Sequence, residues 1–385
     1  MVSRRMVLLA GGGAAVVLGA GMAGYAHGPG LSRAVAPWSD AGEGFDDPRL
    51  TALSYAILAP NSHNRQPWLF ELRGEDTIDV FCDLDRRLPQ TDPNDRQIVV
   101  SFGCMLELLS IAAAEAGYAA EVAGFPDGYP KGRLDDRRIA TVRLVPRAAS
   151  ADPLFSQITE RRSNKQAYDT AQPVSQSDLD RLSAPFQGMI KAGGTSDPNR
   201  VADFIETAKA GWLVEYGTDR TRRESIAVMR IGNRAVHENP DGIELPGIPM
   251  GLMNLAGIVT PETLDTPGST AYDSGLSMYM NLIQATPSFI WLTSHDSSRA
   301  AQIEAGRAWV RLNLMAGEAG LSVHPLSQIL QEFPEMAPHY KAIHEKLGVS
   351  APGVVQMFAR IGHATVPSAP TPRWPLEAKL VPAIA

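Results

Sequence analysis

Read for hydrophobic and polar positions, the chain alternates between apolar helical stretches and short strand-like runs, separated by joints rich in proline and glycine. From Asp46 a helical spacing places Leu50, Leu53, Ile57 and Leu58 on one face, with Asp46 or Asp47 as N-cap before Pro48 and Pro60 as terminator. Trp68–Leu72 and Thr77–Phe81 read as a strand pair turning at Arg73-Gly74. A long helix over about 95–116 follows. Its apolar positions, Ile98, Val99, Phe102, Met105, Leu106, Leu109 and Ile111, exceed one narrow stripe, which predicts a central helix, and Gly117 stands at a left-handed C-cap. A strand over 140–145 and a link over 147–152 close the first part.

The second part opens with predicted helices over 155–162 and 201–216. Between about 229 and 272 prolines and glycines crowd together with Met250, Met253 and several leucines, and the chain reads as irregular. Phe289–Leu292 reads as a buried strand, a helix over 298–319 ends at Gly320, and 367–382 reads as an extended proline-rich tail. The two long helices end alike, in Ala114-Glu115-Ala116-Gly117-Tyr118 and Gly317-Glu318-Ala319-Gly320-Leu321. Each ending leads through a short apolar stretch to a proline, Pro126 or Pro325.

Composition adds limits. With 385 residues, 44% of them hydrophobic and 20% charged, the chain can bury a full globular core. A net charge of −7 speaks against general nucleic-acid affinity and leaves room for a local basic pocket. Cys82 and Cys104 lack metal or redox spacing and read as two buried thiols, or as a pair if the protein is exported. Ser3-Arg4-Arg5-Met6-Val7-Leu8, ahead of a Gly/Ala/Val stretch to about Ala26, resembles a twin-arginine signal over residues 1–30. That predicts export to the periplasm or cell envelope, with an uncleaved anchor as the alternative because no crisp A-x-A site follows. The glycines of this stretch suit a permanent membrane span poorly. Gly19, Gly21 and Gly24 match G-x-G-x-x-G, but Gly28-Pro29-Gly30 forbids the helix a dinucleotide fingerprint requires, and 27–45 reads as a linker.

Four segments carry chemistry: Ala59-Pro60-Asn61-Ser62-His63-Asn64-Arg65-Gln66-Pro67-Trp68; Arg161-Arg162-Ser163-Asn164-Lys165-Gln166-Ala167-Tyr168; Gly320-Leu321-Ser322-Val323-His324-Pro325-Leu326-Ser327-Gln328; and Ile361-Gly362-His363 with Pro372-Arg373-Trp374-Pro375. A basic pair followed by Ser-x-Lys offers a planar donor fork, a hydroxyl and a compact cation, which suit a phosphate dianion; taken alone, Arg-Arg is more often a solvated helix end. A Pro/Asn/Ser loop offers uncharged polar groups on stiff backbone, or is simply a turn. Other chemistries find no support: there is no H-E-x-x-H, Walker loop or complete nucleophile elbow, and no metal is expected.

Taken together, the segments resemble the nitroreductase family, over most of the chain from Asp46 to Leu380: the loop looks like its A-P-S-x-x-N-x-Q-P-W, with Asn61 in the place of the serine, and the basic segment looks like its R-R-S-x-[RK] opening. The resemblance implies an α+β fold in which two related halves, 46–150 and 151–385 with an insertion around 229–272, are fused so as to mimic the family's dimer. It implies FMN as cofactor. Arg161, Arg162, Ser163, Lys165 and Arg373 would serve the phosphate. Pro60, Asn61, Ser62 and Asn64 would serve the ring edge, with Gln66 serving either ring or fold. Pro325, Leu326, Ser327 and Gln328 would lie beside the reactive edge, with Ser327 where many relatives carry glutamate. His63 and His324 adjoin this region as proton donors or as packing residues. The first half has the loop without a preceding R-R-S, and the second has R-R-S-N-K with only Ala184-Pro185-Phe186-Gln187 in the loop's place. One composite site per chain is therefore expected, complete without a partner subunit.

The function implied is an FMN-dependent oxidoreductase passing electrons from a reduced donor such as NAD(P)H to a nitroaromatic or quinone-like acceptor, with the flavin itself carrying the chemistry. The alternative is an FMN-binding or storage protein whose insertion closes over the ring. Nucleic acid is not an expected partner, and membrane contact would come only through the signal segment.

Overall fold

Local side chains set most element boundaries. The Asp47 carboxylate accepts from Arg49 N–H and Pro48 occupies the first helical position, so the first long helix starts where the sequence places it. Asp197, Ser269 and Ser298 cap three later helices in the same way. The central helix differs: Asp95, at φ 55°, makes no cap bond, and the Asp92 carboxylate takes the N–H groups of Gln97 and Ile98 instead.

The computed structural model describes residues 31–130, 132–147 and 151–382, so the twin-arginine segment lies outside the described residues. In chain order the elements are α1 (Ser32–Val35), α2 (Pro48–Ala56), β1 (Trp68–Arg73), β2 (Thr77–Cys82), α3 (Arg96–Glu115), β3 (Tyr118–Gly124) and β4 (Ala140–Pro146). There follow α4 (Gln176–Ser183), β5 (Ile190–Thr195), α5 (Pro198–Gly217), α6 (Asp219–Ala227), β6 (Met229–Ile231), α7 (Gly232–Glu238), β7 (Ile243–Leu245), α8 (Ile248–Leu255) and α9 (Pro261–Asp265). The last are α10 (Thr270–Gln284), β8 (Ser288–Ser294), α11 (Arg299–Glu318), β9 (Ser322–Pro325), α12 (Ala337–Lys346) and β10 (Val354–Gly362).

This is an α+β fold with two four-stranded antiparallel sheets, ordered β1-β2-β4-β3 and β5-β8-β10-β9. The orders coincide when β1, β2, β3 and β4 are matched to β5, β8, β9 and β10. The long helices coincide too, since α3 joins β2 to β3 and α11 joins β8 to β9, and each has 20 residues. They cross at Gly103 and Gly306, each seven residues after the first residue of its helix. A Cβ on Gly306 would lie 1.9 Å from the Val100 carbonyl oxygen, and one on Gly103 would lie 2.1 Å from that of Ile303. The helix backbones touch there, which only glycine permits. One apolar core runs through this crossing, from Trp68, Phe102 and Met105 to Ile290, Trp309 and Ile361.

Several elements escape the sequence pattern. All nine residues of β10 are buried, including Gln356 and Arg360, so the strand shows no period-two alternation. The strand β5 carries Gly193 and Gly194, and the Trp291 ring lies against Gly193 where a side chain would stand. The helix expected over 155–162 is a single turn, Phe155–Gln157. The stretch 229–272, expected to be irregular, holds β6, α7, β7, α8 and α9. In the expected linker, Trp38 is buried and its indole N–H donates to Thr371 O. Both cysteines are buried free thiols.

Candidate functional site

The loop between α2 and β1 carries unusual backbone. His63, Asn64 and Gln66 lie at φ 48°, 51° and 49°, a region that side-chain-bearing residues seldom occupy. Such positions cost about 1–3 kcal/mol each and persist only where the surroundings over-determine them. Here they do. Gln66 is fully buried; its Nε2 donates to Pro240 O and its Oε1 accepts from Trp374 N–H. Asn61 Oδ1 takes the Gln66 N–H, Asn64 O takes the Gly242 N–H, and Lys379 Nζ donates to Gln66 O. Burial pushes the Lys379 ammonium down to about 7.

Arg373 completes the clamp. Its guanidinium donates to the carbonyls of Ile57, Leu58, Ala59 and Pro372, to Asn64 Oδ1 and to Thr371 Oγ1. Asn64 and Arg373, expected at the ring and the phosphate, here spend polar groups on the loop itself and act as its scaffold, and Gln66, expected at ring or fold, takes the fold role. Trp68, which ends the motif, is fully buried core.

A second clamp comes from the 229–272 stretch. Asp241, almost wholly buried, pairs with Arg65 at 3.0 Å, Arg86 at 2.5 Å and Arg230 at 2.7 Å. On the other side of the loop, Ser62 N–H donates to Ser101 Oγ on α3. The loop is thus held by α3, the 229–272 stretch and the carboxyl-terminal segment around Arg373 and Lys379.

The basic segment meets this loop. Arg161 Nη2 donates to Leu58 O at 3.0 Å, while Arg161 Nε and Nη1 are buried without a hydrogen-bond partner among the described residues. Burial, with Arg162 adding, pushes its guanidinium down to about 10, still a cation at neutral pH. Arg161, Arg162 and Arg373 all lie over the Trp38 ring, at 5.5, 4.6 and 5.2 Å. Arg162 donates to Thr159 O and Arg161 O, so part of its donor set is used locally. Ser163 is half-buried and Lys165 exposed, and neither has a hydrogen-bond or ion-pair partner among the described residues.

The third segment lies alongside. Asn164 N–H donates to Val323 O, and Lys165 lies close enough to both His63 and His324 to depress them. His63 is pushed down to about 4 by burial first, then by Lys165 and Arg65. His324 is pushed well below its usual value by burial, Arg360 and Lys165. Both imidazoles are therefore neutral at physiological pH. Pro325 ends β9, Leu326 is buried with its N–H on Phe358 O, and Ser327 begins a short 3-10 turn. Gln328 Nε2 donates to Tyr279 Oη on α10, whose ring stacks on Trp212 at 4.2 Å.

The structure therefore brings the basic segment to the loop and to β9: Arg161 meets Leu58 O, Lys165 lies near both His63 and His324, and Asn164 N–H donates to Val323 O. It also adds residues that the motifs did not single out: Trp38, Glu215, Ser225, Tyr279 and Lys379. Glu215 was legible in part, since it continues the buried stripe Phe204, Ala208 and Gly211 along α5.

The α+β fold, with its two four-stranded antiparallel sheets and the short parallel pair β6-β7, is the fold class that the nitroreductase resemblance implies. The chain is similar to several known proteins. The chain is 27% identical over 341 residues to the Mycobacterium tuberculosis H37Rv protein named "Putative NAD(P)H nitroreductase Rv3131", covering 85% of this chain and 91% of that one. It is 36% identical over 77 residues to "Putative NAD(P)H nitroreductase acg" of the same strain, 20% of this chain and 23% of that one. Among solved structures, one described as "a putative nitroreductase" from Anabaena variabilis aligns at 14% identity and a TM-score of 0.37, covering 75% of this chain and 69% of its own. A Bacteroides fragilis nitroreductase with bound FMN aligns at 12% identity and 0.32, covering 56% and 90%. No protein-family model matches the chain.

Proposed function

We propose that this chain is an FMN-dependent oxidoreductase of nitroreductase type, with NAD(P)H as donor and a nitroaromatic or quinone-like molecule as acceptor. The observation that carries the proposal is Arg161, a buried cation with two unpartnered donors beside a strained, clamped loop. A buried charged donor without a partner is costly unless a ligand completes it, and a phosphate dianion would do so. Arg161 and Ser163 would hold the phosphate, Lys165 would lie toward the ring, and Asn61, Ser62 and the Pro325–Gln328 backbone would orient the ring edge. When bound, FMN would supply the hydride-accepting and electron-donating chemistry. The chain's own part is to bind and orient that group, to hold His63 and His324 neutral beside it, and to keep the loop rigid.

The matching sheet orders, matching helix positions and glycine crossing support reading the two halves as a fused duplication that mimics a family dimer. Because the two motif sets fall in different halves, one flavin per chain follows. Ser3-Arg4-Arg5 and its apolar stretch support export by the twin-arginine route. A second reading, a flavin-holding protein with little turnover, is favoured by one observation: Asp241 bolts the insertion to the loop through three arginines.

FMN titration of the purified protein, followed by an anaerobic visible spectrum with NADPH or NADH, tests both. One equivalent should bind and bleach. Arg161→Met should weaken binding roughly 10- to 100-fold, the loss of charge-assisted phosphate hydrogen bonds. FMN that binds but stays oxidised would move the assignment to the flavin-holding reading, and unchanged FMN affinity in Arg161→Met would sink the site.

A further inference from the structure

On α5, the site contains an acid that flavin binding leaves without a task. Glu215 is buried; Gln331 Nε2 donates to its Oε2 at 2.8 Å, and Ser225 Oγ lies 3.4 Å from its Oε1. The same Ser225 Oγ is 3.2 Å from His63 Nε2. His63 Nδ1 is in turn 3.2 Å from Ser62 Oγ. A continuous chain of exchangeable protons therefore runs from the interior of α5, across α6, to the strained loop. The left-handed φ of His63 places its ring between Ser62, its neighbour in sequence, and Ser225, 162 residues further on.

We propose that Glu215, Ser225 and His63 form a proton relay that delivers a proton to the loop face of the site, a function that rests on the FMN assignment. Reduction of a quinone or nitro group by hydride equivalents requires one further proton for each hydride. The relay supplies it with every bond accounted for. The protonated Glu215 carboxyl gives its proton to Ser225 Oγ as Ser225 gives its own to His63 Nε2. His63 releases the Nδ1 proton to Ser62 Oγ, and the Ser62 proton passes to the acceptor oxygen. Glu215 is left as a carboxylate, to be reloaded from solvent in the reverse direction between turnovers. Glu215 and Ser225 are positioning residues in this scheme, since only the loop end meets the acceptor.

The electrostatics suit these roles. Burial, with Glu224 of α6 adding, pushes the Glu215 carboxyl up to about 7, so it stores a proton at neutral pH. Tyr279 of α10 faces it as a neutral phenol, itself held protonated by burial. His63 faces Lys165 and Arg65, which with burial keep it from storing a proton and leave it to pass one on.

The test follows the His63 ring nitrogens by 15N NMR between pH 5 and 9, in flavin-free and FMN-loaded protein, for wild type, Glu215→Gln and Ser225→Ala. In wild type, His63 stays neutral yet shows a tautomer step centred near the Glu215 value; both substitutions abolish it. The pH profile of quinone reduction gives the second readout. Wild type loses rate above about 7, whereas Glu215→Gln is flat and roughly 10²-fold slower than wild type below that pH, the size of a lost general acid. Ser225→Ala, at a half-buried position, guards against a folding defect in the first variant. A His63 signal and pH profile unchanged in Glu215→Gln overturn the relay. If FMN binds normally and the step is missing, the relay alone falls; if the step is present and FMN never binds, the cofactor assignment falls and the wired triad stands.

Discussion

Replacing Asp241 by asparagine tests whether the 229–272 stretch holds the loop. The carboxylate is nearly inaccessible and serves three guanidiniums at once. At an effective dielectric near 20, each contact of about 4 Å between charge centres is worth roughly 4 kcal/mol before desolvation is counted. Most of that gain offsets the cost of burying the ions, and the measurable quantity is the penalty of leaving cations without their anion, about 3–5 kcal/mol for a buried pair. The low end applies here, because each arginine keeps a second partner: Arg86 has Asp83, Arg65 has the carbonyls of Arg86 and Asp85, and Arg230 has Met229 O. Asp241→Asn should therefore lose about 3 kcal/mol in urea unfolding, or several degrees in Tm. It should also open the 229–272 stretch to limited proteolysis before the rest of the chain. Adding Arg230→Gln should restore part of the loss, because it removes one of the stranded charges. A loss under about 1 kcal/mol with unchanged proteolysis would refute the clamp.

The remaining predictions concern other levels of the structure. Gly306→Ala should cost more than about 3 kcal/mol, the upper range of overpacking, because its Cβ would meet the Val100 carbonyl at 1.9 Å with backbone on both sides; chemical denaturation measures it, and a wild-type Cm would show that the helices can part. The raised Glu215 carboxyl binds its proton more tightly folded than unfolded, so its contribution is intact below about 4.5 and lost as pH rises through about 7. Glu215→Gln should consequently gain stability relative to wild type as pH rises across that window, on the order of 3 kcal/mol by pH 8; an equal pH dependence in both proteins would contradict the burial. Lys379, pushed down to about 7, acts with the opposite sign: its contribution is present above the unfolded value near 10.5 and lost as pH falls toward about 7. Lys379→Met should flatten stability between pH 7 and 10.5, and a profile as steep as wild type would argue against its burial.

The sequence by itself determined the local features and the kinds of chemistry present. The cap at Asp46 or Asp47, the two long helices and the glycine that ends each were readable because a helix boundary is decided within one turn. So was the pairing of an Arg-Arg-Ser-Asn-Lys segment with an Asn/Ser loop, because charge and donor geometry belong to the residue types. What each side chain does with its polar atoms could be decided only by tertiary structure. Gln66, Asn64 and Arg373 look like ligand residues in the sequence, yet their hydrogen bonds close on carbonyls from segments up to about 300 residues away. Arg161 looks no different from its neighbour Arg162, yet only Arg161 is buried with donors left over. Strand β10 was hidden for the same reason: burial on both faces erases the alternation that marks a strand. Long-range contacts set these outcomes, because a hydrogen-bonding group commits to whichever partner the fold brings within about 3 Å, and spacing along the chain carries no record of that choice.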